Sequence, residues 1–93
     1  MTQPKYLLTF VDDHKGDVFV HADSEGLSVL IRTLQRIKDA VDRGVCEHDH
    51  LMSDSWGGSE LTESKGIQEG EIVNHVKIFG WNQEWSIKHG FKP

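Results

Sequence analysis

The stretch Leu27-Ser28-Val29-Leu30-Ile31-Arg32-Thr33-Leu34-Gln35-Arg36-Ile37-Lys38-Asp39-Ala40-Val41 decides the fold. Leu27, Leu30, Leu34, Ile37 and Val41 recur at alternating steps of three and four, which puts them on one stripe of an α-helix, and Ile31 widens it. Asp23 or Ser24 can cap the start, Glu25 suits the positive end of the helix dipole, and Gly44 can take the left-handed closing position. Arg32, Arg36, Asp39 and Arg43 occupy the opposite face. Mixed charges and a place between strands argue for a core role over a membrane-surface helix. One helix with one apolar stripe must cover one face of a sheet.

The strands follow from that. Tyr6 to Val11 and Val18 to Ala22 are rich in aromatic and aliphatic residues, and Asp12-Asp13-His14-Lys15-Gly16-Asp17 between them supplies turn chemistry, so the pair reads as a hairpin. After Gly44, Val45 to Ser53 reads as a strand. Asp54-Ser55-Trp56-Gly57-Gly58 then reads as a turn into a short strand around Ser59 to Thr62. Ser64-Lys65-Gly66 and Glu69-Gly70 mark a loop. Glu71 to Trp81 is the strongest late strand, with Ile72, Val76 and Ile78 on one side and Val73, His75, Lys77 and Phe79 on the other. Trp85 and Ile87 read as a final short strand. The expected architecture is α+β: a two-layer sandwich in the order β-β-α-β-β-β, with an antiparallel sheet of four to five strands and one helix on one face. The second sheet face is left open to solvent or a partner.

Composition narrows the function. With 93 residues, 37% hydrophobic and 27% charged, the chain reads as one domain over residues 1–93. A lone Cys46 excludes an internal disulfide. Met1 to Lys5 lacks the apolar run of a signal peptide, the run from Tyr6 to Val11 is too short, and nothing approaches a membrane span, so a cytoplasmic protein is expected. The net charge is −5. Glu47, Asp49, Asp54, Glu60, Glu63, Glu69 and Glu71 gather between residues 46 and 71 against Lys65 alone, which disfavours nucleic acid and favours a basic partner.

The chemistry-bearing segment is Cys46-Glu47-His48-Asp49-His50-Leu51, followed by Trp56-Gly57-Gly58. On a strand Cys46, His48 and His50 share one side and His75 can join them, so a metal-binding or regulatory module using Cys46, His48 and His50 is one reading. The usual structural zinc spacings are absent. A Cys-His nucleophilic pair is disfavoured because neighbours at i and i+2 run parallel and no helix start follows Cys46 to lower its pKa. No catalytic residues and no cofactor are expected. Trp56, in a glycine-rich turn, is either tucked over the sheet or held out as an interface anchor. Acids near His48 and His50 would hold their charged form.

Glu47-His48-Asp49-His50-Leu51, Trp56-Gly57-Gly58, Leu61 and the strand ending Ile78-Phe79-Gly80-Trp81 together resemble the small immunity proteins of bacterial polymorphic toxin systems, in particular the immunity protein thirty-two group. The resemblance touches most of the chain. It implies a non-enzymatic cytoplasmic protein, encoded beside a toxin, that binds and neutralises it. The partner-binding residues expected under this reading are Glu47, His48, Asp49, His50, Asp54, Trp56, Glu60 and Glu63. A nuclease toxin would offer these acids a basic groove. A homodimer through the open sheet face or a sheet edge is a further reading.

Overall fold

The computed structural model describes residues 4–93, so the reading of the terminus at Met1 to Gln3 lies outside the described residues. Strands β1 (Leu8–Asp12) and β2 (Val18–Ala22) pair antiparallel over their full length, from Leu8 opposite Ala22 to Asp12 opposite Val18. The aspartates of the connecting loop close it with their own side chains. Asp12 Oδ1 accepts from His14 N at 2.8 Å, and Asp13 Oδ1 accepts from Lys15 N at 2.8 Å and Asp17 N at 3.2 Å. The bond from Lys15 N is the chief reason the Asp13 carboxyl lies below its ordinary pKa.

Helix α1 (Ser24–Asp42) starts where Asp23, its N-cap, accepts from Gly26 N at 2.8 Å. It ends in a Schellman motif: Gly44 N donates to Val41 O, Val45 N donates to Ala40 O, and Gly44 sits at φ 84°. The buried face is Gly26, Thr33, Ile37 and Ala40, with Val29 and Leu30 packed against the core. Leu27, Ile31 and Leu34 stay substantially exposed. The stripe is therefore rotated from the one that apolarity alone picks out. Close approach is the reason: a Cβ on Gly26 would fall 1.7 Å from the Leu7 carbonyl oxygen. The Thr33 hydroxyl is tolerated in the packed face because it donates to Val29 O at 3.0 Å.

The late strands depart from a single sheet. Residues 71–80 are interrupted after β4 (Glu71–Ile72), and β5 (His75–Gly80) follows. β4 pairs antiparallel with β1, whereas β5 pairs antiparallel with β3 (Glu47–Met52). Val73 N donates to Phe10 O while Asn74 O accepts from Ser53 N, so the segment hands its pairing from one partner to the other within two residues. The five strands thus form two antiparallel sheets, β2-β1-β4 and β3-β5. The short strand expected at Ser59 to Thr62 reduces to one bridge, Leu61 to Ser53. Thr62 then joins the two halves: its N–H donates to Leu8 O, its hydroxyl accepts from Leu8 N, and the same hydroxyl donates to Tyr6 O.

The expected last strand at Trp85 and Ile87 is instead helix α2 (Gln83–Lys88). Asn82 decides this, because its side chain caps Trp85 N at 2.9 Å and also donates to Gly44 O at 2.9 Å, tying α2 to the end of α1. The main core joins the parts: Leu8, Leu51 and Leu61 are fully buried, with Tyr6, Phe10, Ala22, Leu30, Val76 and Ile78 against them. Thr9 and Val11, on the other face of the hairpin, are buried as well. The Thr9 hydroxyl reaches the Thr62 and Ser64 carbonyls at 3.0 and 2.9 Å, so the segment after Thr62 straps over that face. Among the described residues no helix is long and apolar enough to cross a membrane.

Candidate partner-binding surface

The β3–β5 ladder has two unlike faces, because side chains alternate along each strand. In the register Glu47 to Gly80 through Met52 to His75, Asp49, Leu51, Val76 and Ile78 lie on the α1 side. Gly80 is on the same side, and a Cβ there would stand 2.3 Å from Ile37 Cγ2 and 2.8 Å from Val41 Cγ2. Asp49 does not reach a partner surface alone, since it forms an ion pair with Arg36 of α1.

His48, His50, His75, Lys77 and Phe79 project from the opposite face. Their rings form a continuous strip. It begins at Trp56, whose ring centroid lies 6.3 Å from that of His75. His75 stacks on His50 at 5.0 Å, His50 meets His48 edge-on at 5.3 Å, and His48 lies 5.6 Å from Phe79. Phe79 stacks on Trp81 at 5.9 Å, and Trp81 contacts His89 at 5.2 Å and Phe91 at 5.6 Å. Trp85 closes the series 5.1 Å from His89. These spacings are those of favourable ring pairs. Trp56 is 59% exposed, Phe79 50% and Phe91 69%. Ring surface exposed in this way makes the strip the candidate interaction surface.

At His50 the electrostatics run against the expectation that nearby acids hold the ring charged. His50 has its pKa lowered, first by loss of solvent and then by Lys77, His75 and His48. Its Nδ1 lies 2.7 Å from His75 Nε2, a hydrogen bond in which one nitrogen must be an unprotonated acceptor. The adjacent Asp49 accepts from His50 N rather than from its ring.

The turn that carries Trp56 is built by acids. Ser53 hydrogen-bonds Asn74 Oδ1 at 2.7 Å, and a 3-10 turn covers Asp54–Trp56. Glu60 accepts from Met52 N at 2.9 Å. Glu63 accepts from the Ser55 hydroxyl at 2.5 Å and from Ser55 N at 3.3 Å. His48, His50 and Trp56 are thus brought together on the strip, with Asp54, Glu60 and Glu63 at its turn end. Glu47 and Asp49 belong to the other face of β3, where Glu47 accepts from His48 N. His75, Lys77, Phe79 and Trp81 were not among the expected partner-binding residues, although the placing of His75, Lys77 and Phe79 on one side of the expected strand was a signal that could have found them. His89 and Phe91 follow α2 and carry no such signal; only the fold brings them to Trp81.

Cys46 lines a small hollow of about 180 Å³ with His48, Phe79 and Trp81. It does not join His48 and His50 as a ligand set: among the described residues no group of three or more His, Cys, Asp or Glu is placed to hold a metal ion. A wider open hollow, about 760 Å³, lies between the hairpin and residues 64–70, lined by Phe19, His21, Lys65 and Ile67 among others. It shares no residue with the strip.

Fold and surface define a small α+β protein whose helix covers one side of its late strands and whose rings occupy the other. A model of the immunity protein 32 family matches residues 17–76, and the chain belongs to that family. Toxin neutralisation is the general role that membership carries. No curated protein and no solved structure matches the chain.

Proposed function

We propose that the protein binds and neutralises the toxin encoded beside it, in the cytoplasm, by docking the ring strip on that toxin. It acts as a stoichiometric binder, neither as an enzyme nor with a cofactor, and its partner is a protein rather than nucleic acid. Family membership supports a toxin as the partner. The choice of surface is carried by the strip, in which exposed and half-buried rings contact one another in series along a sheet side that α1 does not cover. Aromatic anchors of this type dominate binding energy at protein interfaces. His48, His50 and Trp56 supply the central contacts. Asp54, Glu60 and Glu63 border Trp56 and suit a basic patch of the toxin, while Glu47 and Asp49 flank the strip from the other face of β3.

Co-production with the neighbouring toxin tests this. The unaltered protein should restore growth and co-purify with the toxin. The triple variant His48→Ala, His50→Ala, Trp56→Ala should lose tenfold or more in affinity, since hot-spot truncations cost about 2 kcal/mol or more each. A toxin that stays active beside the unaltered protein, or a triple variant that protects equally well, refutes the reading.

A further inference from the structure

Two sheet edges of the molecule are finished differently. Along β3 the outward N–H groups are already taken by carboxylates: His48 N donates to Glu47, His50 N to Asp49 and Met52 N to Glu60. Along β2 nothing comparable is present. Asp13 N donates to Asp17 O and Asp23 N to Leu7 O. In this antiparallel register the odd-numbered residues of β2 therefore bond to β1, and Val18, Val20 and Ala22 turn their N–H and C=O outward. The far side of β1 agrees, since Leu8 O and Phe10 O accept from Thr62 N and Val73 N. Among the described residues no hydrogen bond reaches the backbone of Val18, Val20 or Ala22 from the outer side. The strand reads Val18-Phe19-Val20-His21-Ala22, without the Lys, Pro or bulge that protects an edge from pairing. Phe19 and His21 line the hollow of about 760 Å³ beside residues 64–70. His21 Nε2 meets Gln68 Oε1 there at 2.9 Å, and Ile67 in the same loop is fully exposed.

We propose that the β2 edge takes an extended segment of the neighbouring toxin as an added strand, with an apolar side chain of that segment in the hollow and a Lys or Arg at each end. The proposal rests on the toxin being the partner, and it adds a contact surface that shares no residue with the ring strip. The outward backbone groups of Val18, Val20 and Ala22 offer hydrogen bonds to any sequence. Alternate side chains of an added strand fall opposite Phe19 and His21 and face the hollow, which is where the sequence of the segment is read. Phe19 and Ile67 suit an aliphatic or aromatic group there. Asp17 and Asp23 stand exposed at the two ends of β2, and opposite charges across a strand pair are favourable. The same two residues disfavour a second copy of this chain as the occupant. The antiparallel register that pairs the whole strand with itself, centred on Val20, sets Asp17 of each copy against Asp23 of the other, and like charges directly opposite are destabilising.

Amide hydrogen exchange on the unaltered protein, alone and saturated with the toxin, reads the edge directly. The Val18, Val20 and Ala22 amides should exchange freely in the protein alone and about tenfold or more slowly in the complex. Equal exchange in both states overturns the proposal. Protection in the protein alone, with a doubled mass in sedimentation, overturns it in favour of a second copy. Val20→Pro removes one outward donor and sets a ring on the edge, yet spares the β1 ladder, because edge strands accept proline where the N–H faces outward. It should keep the circular dichroism of the unaltered protein and bind the toxin about tenfold or more weakly, since a carbonyl of the segment loses its donor. Val20→Thr keeps the N–H and should bind like the unaltered protein. Ile67→Lys should also weaken binding, because the hollow loses an apolar wall and gains a charge that repels a basic segment. Should Val20→Pro fail to fold, the exchange measurement decides alone. The His48, His50, Trp56 triple variant separates the two surfaces. If it loses binding and Val20→Pro does not, the strip stands and the added strand falls. If Val20→Pro loses binding and the triple variant does not, the strip falls and the added strand stands. A toxin that does not bind the unaltered protein removes both.

Discussion

The two faces of the β3–β5 ladder come from the same two six-residue strands, yet they do different work. The inward face is Leu51, Val76, Ile78 and a glycine, pressed against α1 and the hairpin core. The outward face is His48, His50, His75, Lys77 and Phe79, which touch mainly one another. Inward residues are chosen by volume, since interiors are close-packed and forgive little. Outward residues are less constrained by volume, since they pack against one another rather than into the core. Stability and recognition should therefore separate cleanly between alternate positions of one ladder.

The sharpest way to break that comparison is Leu51→Ala. It should cost about 2–5 kcal/mol, because it opens a cavity in a fully buried site, while toxin affinity of the folded fraction stays unchanged. Urea unfolding followed by tryptophan fluorescence reads the first quantity and titration calorimetry the second. Gly80→Val comes next at about 1–3 kcal/mol, since the new side chain meets Ile37 and Val41 and one of the two elements must move. Thermal melts that match the unaltered protein would show that α1 does not press on β5 as closely as described.

Acid probes the outward face. The folded pKa of His50 lies below its ordinary value of 6.5, so the unfolded chain binds the proton more readily. The contribution of His50 to stability is complete above pH 6.5 and is lost as pH falls through 6.5 towards the lower folded value. A pH series of melts should show this decline, and His50→Gln should flatten it. An unaltered decline in His50→Gln would assign the effect to another group. Arg36→Ala, which removes a partly exposed ion pair with Asp49, should cost less than about 1 kcal/mol in unfolding experiments. The smallest stability effect belongs to Phe79→Ala, within about 0.5 kcal/mol, although it should weaken toxin binding. A large stability loss in Phe79→Ala would mean that the strip helps to hold the fold.

Much of this was legible in the residues. The hairpin, the helix and its caps, the strand at 47–52 and the alternation at 75–79 all follow from local spacing and turn chemistry, and the family resemblance was carried by the same segments. The acids were legible as a cluster but not as individuals. Glu60 and Glu63 brace the Trp56 turn and Asp49 pairs with the helix, which no local pattern reveals. The short helix at 83–88 was missed because Trp85 and Ile87 favour strand, and the capping side chain of Asn82 outweighed that preference.

The sequence by itself determined the α+β class, one main helix after a β-hairpin, and a histidine-bearing strand with aromatic alternation on a later one. Those features depend on interactions within a few residues, where periodicity and capping decide. Only the tertiary structure decided which face of α1 is buried, because the Leu7 carbonyl and Gly80 set how closely the helix can approach. It also decided that residues 71–80 serve two sheets, and that rings from a turn, two strands and α2 meet in one strip. Those outcomes depend on contacts across the whole chain, which a linear pattern does not carry.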